Sequence, residues 1–177
     1  LEEQIKHLTD LNKQISQDAL NLTNALKGES KTRGDWGELQ LQVLLENSGL
    51  KKDVNFQMRP TFIDDNGKKT QPDCIIILPD GKNYVIDSKV SLVAYDNYVG
   101  VEDIKEKEIY LKQHIDSVKQ HIKELSEKDY SSIHDINPPD YVFMFVPIEP
   151  AWFSAIETTN GELYTLALEK NIVLVSM

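Results

Sequence analysis

The sequence predicts an α/β or α+β domain that follows a long N-terminal helix. A tight hairpin joins two apolar strands around residue 80, helical apolar spacing runs over 104–125, and an unbroken apolar strand follows at 141–146. Strands and helices that alternate in this way are typical of mixed folds. We divide the 177 residues into a helix at 1–30 and a domain at 31–177, and we expect this domain to be truncated at its C terminus.

The first segment has the spacing of a coiled coil. Its seam alternates four and three residues apart, at Leu1, Ile5, Leu8, Asn12, Ile15, Ala19, Leu22 and Leu26. Asn12 falls at an a position, which favours a parallel dimer because its amide can pair with its own copy. The alternative is a single amphipathic helix that packs on its own domain. Gly28 and the charged run to Arg33 are expected to end this helix.

Segment 1–30 should therefore make this chain a homo-oligomer, and association should rise with concentration because fewer than four heptads give limited stability. Sedimentation over a range of concentrations measures this association. A strict monomer at high micromolar concentration, with Leu8, Ile15 and Leu22 buried on its own domain, would overturn the coiled-coil assignment.

The remaining elements follow from local patterns. A second helix is predicted to present Trp36, Leu39, Val43 and Leu44 on one face and to end at 47–49. Segments 56–58 and 61–63 are predicted to be a strand pair or one strand bent at its proline. Short helices are expected at 91–99 and after 146, with a loop at 131–140 and a final strand at 172–175.

Three short pieces of sequence carry one candidate site. Asp73 opens the first hairpin strand, and Asp87, Ser88 and Lys89 close the second. Side chains alternate faces along a strand, so Asp87 and Lys89 share one face, and the hairpin can bring Asp73 beside them. Glu38 lies in the helix that comes earlier. This order of residues is the PD-(D/E)xK arrangement of metal-dependent nucleases.

These residue types suit a divalent cation and an attacking water. Mg²⁺ or Mn²⁺ would take the carboxylates of Asp73 and Asp87 and the backbone carbonyl of Ser88, and would keep several waters. Glu38 would hold a second ion or a metal-bound water, and Lys89 would orient the attacking water or offset charge in the transition state. Taken singly, each residue also fits an ordinary role as a turn residue, strand end or surface charge.

Composition gives this site no electrostatic support. The formal net charge is −10, whereas a strongly basic domain would indicate nucleic-acid binding. The single cysteine, Cys74, excludes an internal disulfide and is expected in the core. His114 and His121 lie seven residues apart, about 10 Å along one helix, so they cannot share an ion and are expected to be solvated or partly buried.

Longer strings resemble a known family. They are RGDWGELQL at 33–41, QPDCIIILPDG at 71–81, VIDSK at 85–89 and FMFVPIE at 143–149. Together they resemble the RmuC family of bacterial DNA recombination proteins, from about Arg33 to the end of the chain. The resemblance implies a PD-(D/E)xK nuclease-like fold with Glu38, Asp73, Asp87 and Lys89 at the site positions. It also implies a role in DNA recombination or rearrangement and, in many members, an N-terminal membrane anchor, which we expect in a segment outside this sequence. We expect a cytoplasmic location, with a tether to the inner membrane through that segment.

Two hypotheses of function follow. The first is a divalent-metal-dependent nuclease that acts on DNA during recombination or rearrangement. The second is a non-catalytic scaffold that binds DNA or a partner protein, keeps the nuclease fold and oligomerises through its coiled coil. The ordered site residues favour the first hypothesis, and the acidic balance and the heptads favour the second.

Overall fold

The computed structural model describes residues 30–63, 67, 69–88, 93–128, 130 and 141–176. The heptad seam, the predicted loop at 131–140 and the candidate site residue Lys89 lie outside these ranges. The described elements are α1 (Ser30–Asn47), β1 (Phe56–Met58), β2 (Phe62–Ile63), β3 (Lys69–Thr70), β4 (Cys74–Ile77), β5 (Asn83–Ser88), α2 (Val93–Gly100), α3 (Ile104–Ser126), β6 (Val142–Phe145), α4 (Glu149–Thr158), α5 (Glu162–Glu169) and β7 (Ile172–Val175).

Five of the strands form one mixed sheet in the order β1-β4-β5-β6-β7. The pairs β1/β4 and β4/β5 are antiparallel, whereas β5/β6 and β6/β7 are parallel. The parallel pairs need crossovers, which α2 and α3 supply before β6, and α4 and α5 supply before β7. The α/β prediction is confirmed.

Alternation along the central strands gives the sheet two apolar faces. Val85 packs in a cluster with Ile122 and Leu125 of α3, whereas its neighbour Ile86 packs in a cluster with Leu41 of α1. Residues from α4 and α5 join the α3 cluster. Helices therefore cover both faces of the sheet, and β5 lies in the middle of it.

The predicted hairpin is confirmed as β4 and β5. Its turn closes with hydrogen bonds from the Gly81 N–H to the Leu78 carbonyl, at 3.0 Å, and from the Leu78 N–H to the Lys82 carbonyl, at 2.9 Å. Gly81 has a φ of 78°, a conformation that glycine adopts without steric cost. The Asp80 carboxylate accepts the Lys82 N–H at 3.1 Å and completes the turn.

Two predictions about the N-terminal half need correction. Residues 30–33 form the first turn of α1, and the predicted end of the preceding helix at Gly28 lies outside the described residues. Helix α1 buries Leu41 and Leu45, while the predicted face residues Leu39 and Val43 are exposed. The segments 56–58 and 61–63 do not pair with each other, because β1 joins β4 and β2 joins β3.

Other sequence predictions hold. The 104–125 periodicity corresponds to α3, the apolar run at 141–146 contains β6, and the final strand is β7. Cys74 is fully buried in the core, where desolvation raises the pKa of its thiol to about 12. Within the part of the chain described here, every helix is too short or too polar to cross a bilayer.

His114 differs from its prediction, since it is 2% exposed and not solvated. Its Nε2 lies 2.7 Å from the Ala151 carbonyl, which joins α3 to the first turn of α4. The ring also packs on Tyr95 of α2, with centroids 5.4 Å apart. Burial lowers the pKa of His114, because the charged imidazolium would lose its hydration.

The lowered pKa predicts an acid-sensitive fold. The folded chain binds fewer protons than the unfolded chain just below the ordinary histidine pKa of about 6.5, so stability falls as pH drops through that range. We expect up to about 1.4 kcal/mol of loss per pH unit from His114 alone. His114→Gln, which can still donate to the Ala151 carbonyl, should flatten this slope in denaturant titrations from pH 7.5 to 5.5.

His121→Gln is the comparison variant on the same helix, because the His121 side chain is 25% exposed whereas that of His114 is buried. The slope should flatten more in His114→Gln than in His121→Gln. An unchanged slope in His114→Gln would show that other groups set the acid sensitivity.

Candidate active site

The sheet brings two of the predicted acids together. Cys74 pairs with Ile86 in the antiparallel β4/β5 ladder, so one further step of the register sets Asp73 directly opposite Asp87. Opposed residues of an antiparallel pair point to the same side of the sheet. The N–H of Ser88 donates to Asp73 Oδ2 at 2.7 Å, which fixes that carboxylate against the end of β5.

Asp87 is a fully buried carboxylate inside a strand. It occupies the position after Ile86 and therefore faces the α3 side of the sheet, like Val85. The Lys128 ammonium, just beyond the end of α3, forms an ion pair with Asp87 Oδ2. The hydroxyl of the buried Tyr130 donates to the same oxygen at 3.4 Å. A buried charge is tolerated when it is paired and hydrogen-bonded in this manner.

The charges of both acids act on the Tyr130 phenol. Its pKa is raised above the ordinary phenol value, first by burial and then by the charges of Asp87 and Asp73. The phenol therefore stays protonated and keeps its O–H as a donor to the Asp87 carboxylate.

Glu38 sits with a different partner. Helix α1 covers the sheet face that carries Ile86, and the Glu38 carboxylate there takes two contacts from the Arg59 guanidinium, one of them from Nη2 at 2.6 Å. Arg59 also pairs with Asp35, one helical turn before Glu38. The backbone N–H of Arg59 donates to the Asp73 carbonyl at 2.8 Å. Glu38 is thus connected to the Asp73 segment through Arg59.

Arg59 occupies an unusual backbone position. Its φ of 47° lies in the left-handed region, which residues other than glycine rarely adopt. Hydrogen bonds to Glu38 and then Asp35 hold the pKa of Arg59 above its ordinary value. These groups line one wall of a shallow surface groove of about 350 Å³ between α1 and the end of β1.

The remaining predicted residues are placed in part. Ser88 is the last residue of β5 and lies opposite Phe145 in the β5/β6 ladder, so its backbone is anchored on both sides. Lys89 lies outside the described residues. Sequence reasoning missed Lys128, Tyr130 and Arg59. Lys128 and Tyr130 are 41 and 43 residues from Asp87, and Arg59 is 21 residues from Glu38, so no short-range pattern links them to the site.

The donor set fits a magnesium-type ion in chemistry and number. Mg²⁺ is commonly held by one or two carboxylates together with waters and substrate phosphates. Asp73 and Asp87, opposed on one side of the sheet, supply two such carboxylates. Within the ranges that the structure describes, no group of three acidic, histidine or cysteine side chains forms a closed metal cage. An open, two-carboxylate site is the arrangement that these residues support.

The Arg59 cluster predicts a salt-dependent contribution to stability. Arg59→Gln removes the cation between two acids that then repel each other, and about half of the Arg59 side chain is exposed, so we expect a loss of about 0.5–1 kcal/mol at low salt. The loss should shrink in about 0.5 M NaCl because screening weakens both effects. Denaturant unfolding at the two salt concentrations measures it.

Lys112→Gln is the control, since it removes one exposed charge in the middle of α3. It should change the free energy of unfolding little at either salt concentration. A loss in Arg59→Gln that is independent of salt would assign the effect to backbone strain or packing.

Comparison with known proteins gives a consistent result. The RmuC family profile matches residues 1–177. A DNA recombination protein RmuC homolog from Yersinia pestis is 46% identical over 176 residues, which are 99% of this chain and 37% of that protein. DNA recombination protein RmuC from Escherichia coli K12 is 45% identical with the same coverage. The homolog from Haemophilus influenzae is 43% identical over 99% of this chain and 39% of its own length.

The chain thus spans little more than a third of the length of these curated relatives. The similarity extends over nearly the whole chain and includes the segments that carry Glu38, Asp73 and Asp87. The chain belongs to the RmuC family.

Proposed function

We propose that this chain is the nuclease-like part of a DNA recombination protein and that it hydrolyses DNA phosphodiesters with Mg²⁺ or Mn²⁺. The observation that carries the proposal is the opposed pair Asp73 and Asp87 at the end of the β4/β5 hairpin. The names of the curated relatives support a role in DNA recombination. The PD-(D/E)xK assignment is part of the same proposal, and it agrees with the position of Glu38 on a helix that comes before this hairpin.

Each residue has a task in this mechanism. Asp73 and Asp87 would hold the cation, and the Ser88 N–H would keep the Asp73 carboxylate in position. Ser88 would offer its backbone carbonyl as a further ligand. When bound, the ion would supply Lewis-acid polarisation of the phosphate and a more acidic water. Lys89 would orient the attacking water and offset charge on the phosphorus oxygens.

Glu38 would act from the opposite side of the hairpin. Its pairing with Arg59 holds it next to the Asp73 segment, to which Arg59 is also bonded. From there it would bind a second ion, separate from the one at Asp73 and Asp87, once Arg59 turns toward a DNA phosphate. Arginine suits that task because its planar guanidinium can bind phosphate in a bidentate manner.

Two observations favour a second function, that of a non-catalytic scaffold. The Asp87 carboxylate already carries the Lys128 ammonium, and the chain as a whole is strongly acidic. Both features agree with a scaffold that retains a nuclease fold without cleaving DNA. Such a scaffold would bind DNA or a recombination partner and would oligomerise through the segment at 1–30.

A cleavage assay separates the two functions. Linear, forked and single-stranded DNA should each be tested with Mg²⁺ and with Mn²⁺. We expect metal-dependent cleavage that falls at least about a hundredfold in Asp73→Asn, Asp87→Asn and Lys89→Ala, because each variant removes charge stabilisation of the transition state worth several kcal/mol.

Asp116→Asn is the matched control, since it removes an exposed carboxylate on α3 and should cleave at the normal rate. Circular dichroism melting should establish that each site variant is folded. DNA binding without cleavage by the folded, unmodified protein, under every combination of substrate and metal, would favour the scaffold.

A further inference from the structure

The strongest feature outside the proposed chemistry is the Lys128 side chain. Its ammonium pairs with Asp87 Oδ2 at the side of the sheet where Asp73 and Asp87 are opposed. Two neighbouring carboxylates repel each other, and a cation beside them offsets that repulsion. Lys128 therefore supplies, from within the chain, the positive charge that a metal ion would supply from solution.

The two partners differ in their access to water. Asp87 is 0% exposed and lies within a central strand, so its carboxylate cannot leave the site without breaking the sheet. Lys128 is 41% exposed and follows the last turn of α3, so its long side chain can swing into solvent. The buried acid is fixed, whereas the cation that neutralises it can move.

If Lys128 leaves Asp87, Tyr130 still provides a hydrogen-bond donor to the Asp87 carboxylate. Its hydroxyl donates to the same Asp87 oxygen as Lys128 and is itself buried. If the ammonium leaves, this donor stays and holds the orientation of the carboxylate. Among the described groups around Asp87, the carboxylate and the Tyr130 donor are fixed and the Lys128 cation is exchangeable.

We propose that the Lys128 ammonium is a built-in competitor of the divalent ion, which occupies the charge position beside Asp87 until a metal displaces it. The inference rests on the proposed metal site at Asp73 and Asp87. Lys128 is a positioning residue in this scheme, because it acts through the Asp87 carboxylate. Its effect is to stabilise the metal-free fold and to weaken metal binding, and these two effects have the same origin.

The test is Mn²⁺ binding without DNA, measured by isothermal titration calorimetry and by the loss of the free-ion signal in electron paramagnetic resonance. Lys128→Met should bind Mn²⁺ about tenfold more tightly than the unmodified chain, because the ion no longer displaces an ion pair. Without metal, the same variant should melt at a lower temperature. General damage to the site would lower both the Mn²⁺ affinity and the melting temperature. A higher affinity together with a lower melting temperature therefore identifies competition.

Two further variants are controls. Lys128→Arg keeps a cation and should bind Mn²⁺ close to the normal affinity. Lys119→Met removes an exposed lysine of α3, nine residues before Lys128, and should alter neither property. If Lys128→Met fails to fold in metal-free buffer, Mn²⁺ should restore its folded circular dichroism spectrum, and a failure of Mn²⁺ to do so would overturn the proposal.

Asp87→Asn separates this inference from the proposed function. If the unmodified chain binds Mn²⁺ and Asp87→Asn does not, the metal site stands. In that case, equal or weaker Mn²⁺ binding by Lys128→Met would overturn the competition alone. If neither the unmodified chain nor Lys128→Met binds Mn²⁺ at millimolar concentration, the competition and the proposed metal site both fail.

Discussion

A fully buried carboxylate in the middle of the sheet is the constraint on which much of this structure depends. Taking the Asp87 charge out of water would cost several kcal/mol if nothing compensated it. The compensation comes from Lys128 and Tyr130, which follow the C-terminal end of α3. Helix α3 has 23 residues and is about 35 Å long, and only its far end brings these groups over β5.

The same helix couples the site to the core. Ile122 and Leu125, in the turns before Lys128, pack with Val85, two residues before Asp87. Apolar burial therefore sets the position of α3, and that position sets the geometry of the ion pair. On the opposite face, Leu41 of α1 packs with Ile86 and places Glu38 within reach of Arg59. The site thus depends on packing against both faces of one hairpin.

The sequence predicted those parts of the fold that local patterns determine. The turn around Gly81 required its residue type, the α3 periodicity was regular, and the run containing Met144 and Phe145 was apolar without a break. The face of α1 was predicted wrongly because both Leu39 and Leu41 belong to apolar stripes at helical spacing. Only the position of the sheet decides which stripe is buried.

The site, too, was predictable only where local patterns determine it. The opposition of Asp73 and Asp87 follows from a tight hairpin, which fixes the register over a few residues. The Lys128 and Arg59 pairings join distant segments, and neither residue has a local sequence feature that distinguishes it from a surface cation. His114 was misjudged for a similar reason, because its burial depends on α4, which is packed against α3 only in the folded chain.

Charge is the last link between this geometry and the action on DNA that we propose for an acidic chain. The two described cations near the site, Lys128 and Arg59, are both bound to carboxylates, so they attract phosphate weakly. Among the described groups, the Lys128 ammonium offsets one of the two carboxylate charges of Asp73 and Asp87. A divalent ion at these carboxylates would offset both charges and release the ammonium toward solvent. For such a site, the metal needed for hydrolysis would also remove the negative charge that repels a phosphate backbone and free an ammonium to attract it.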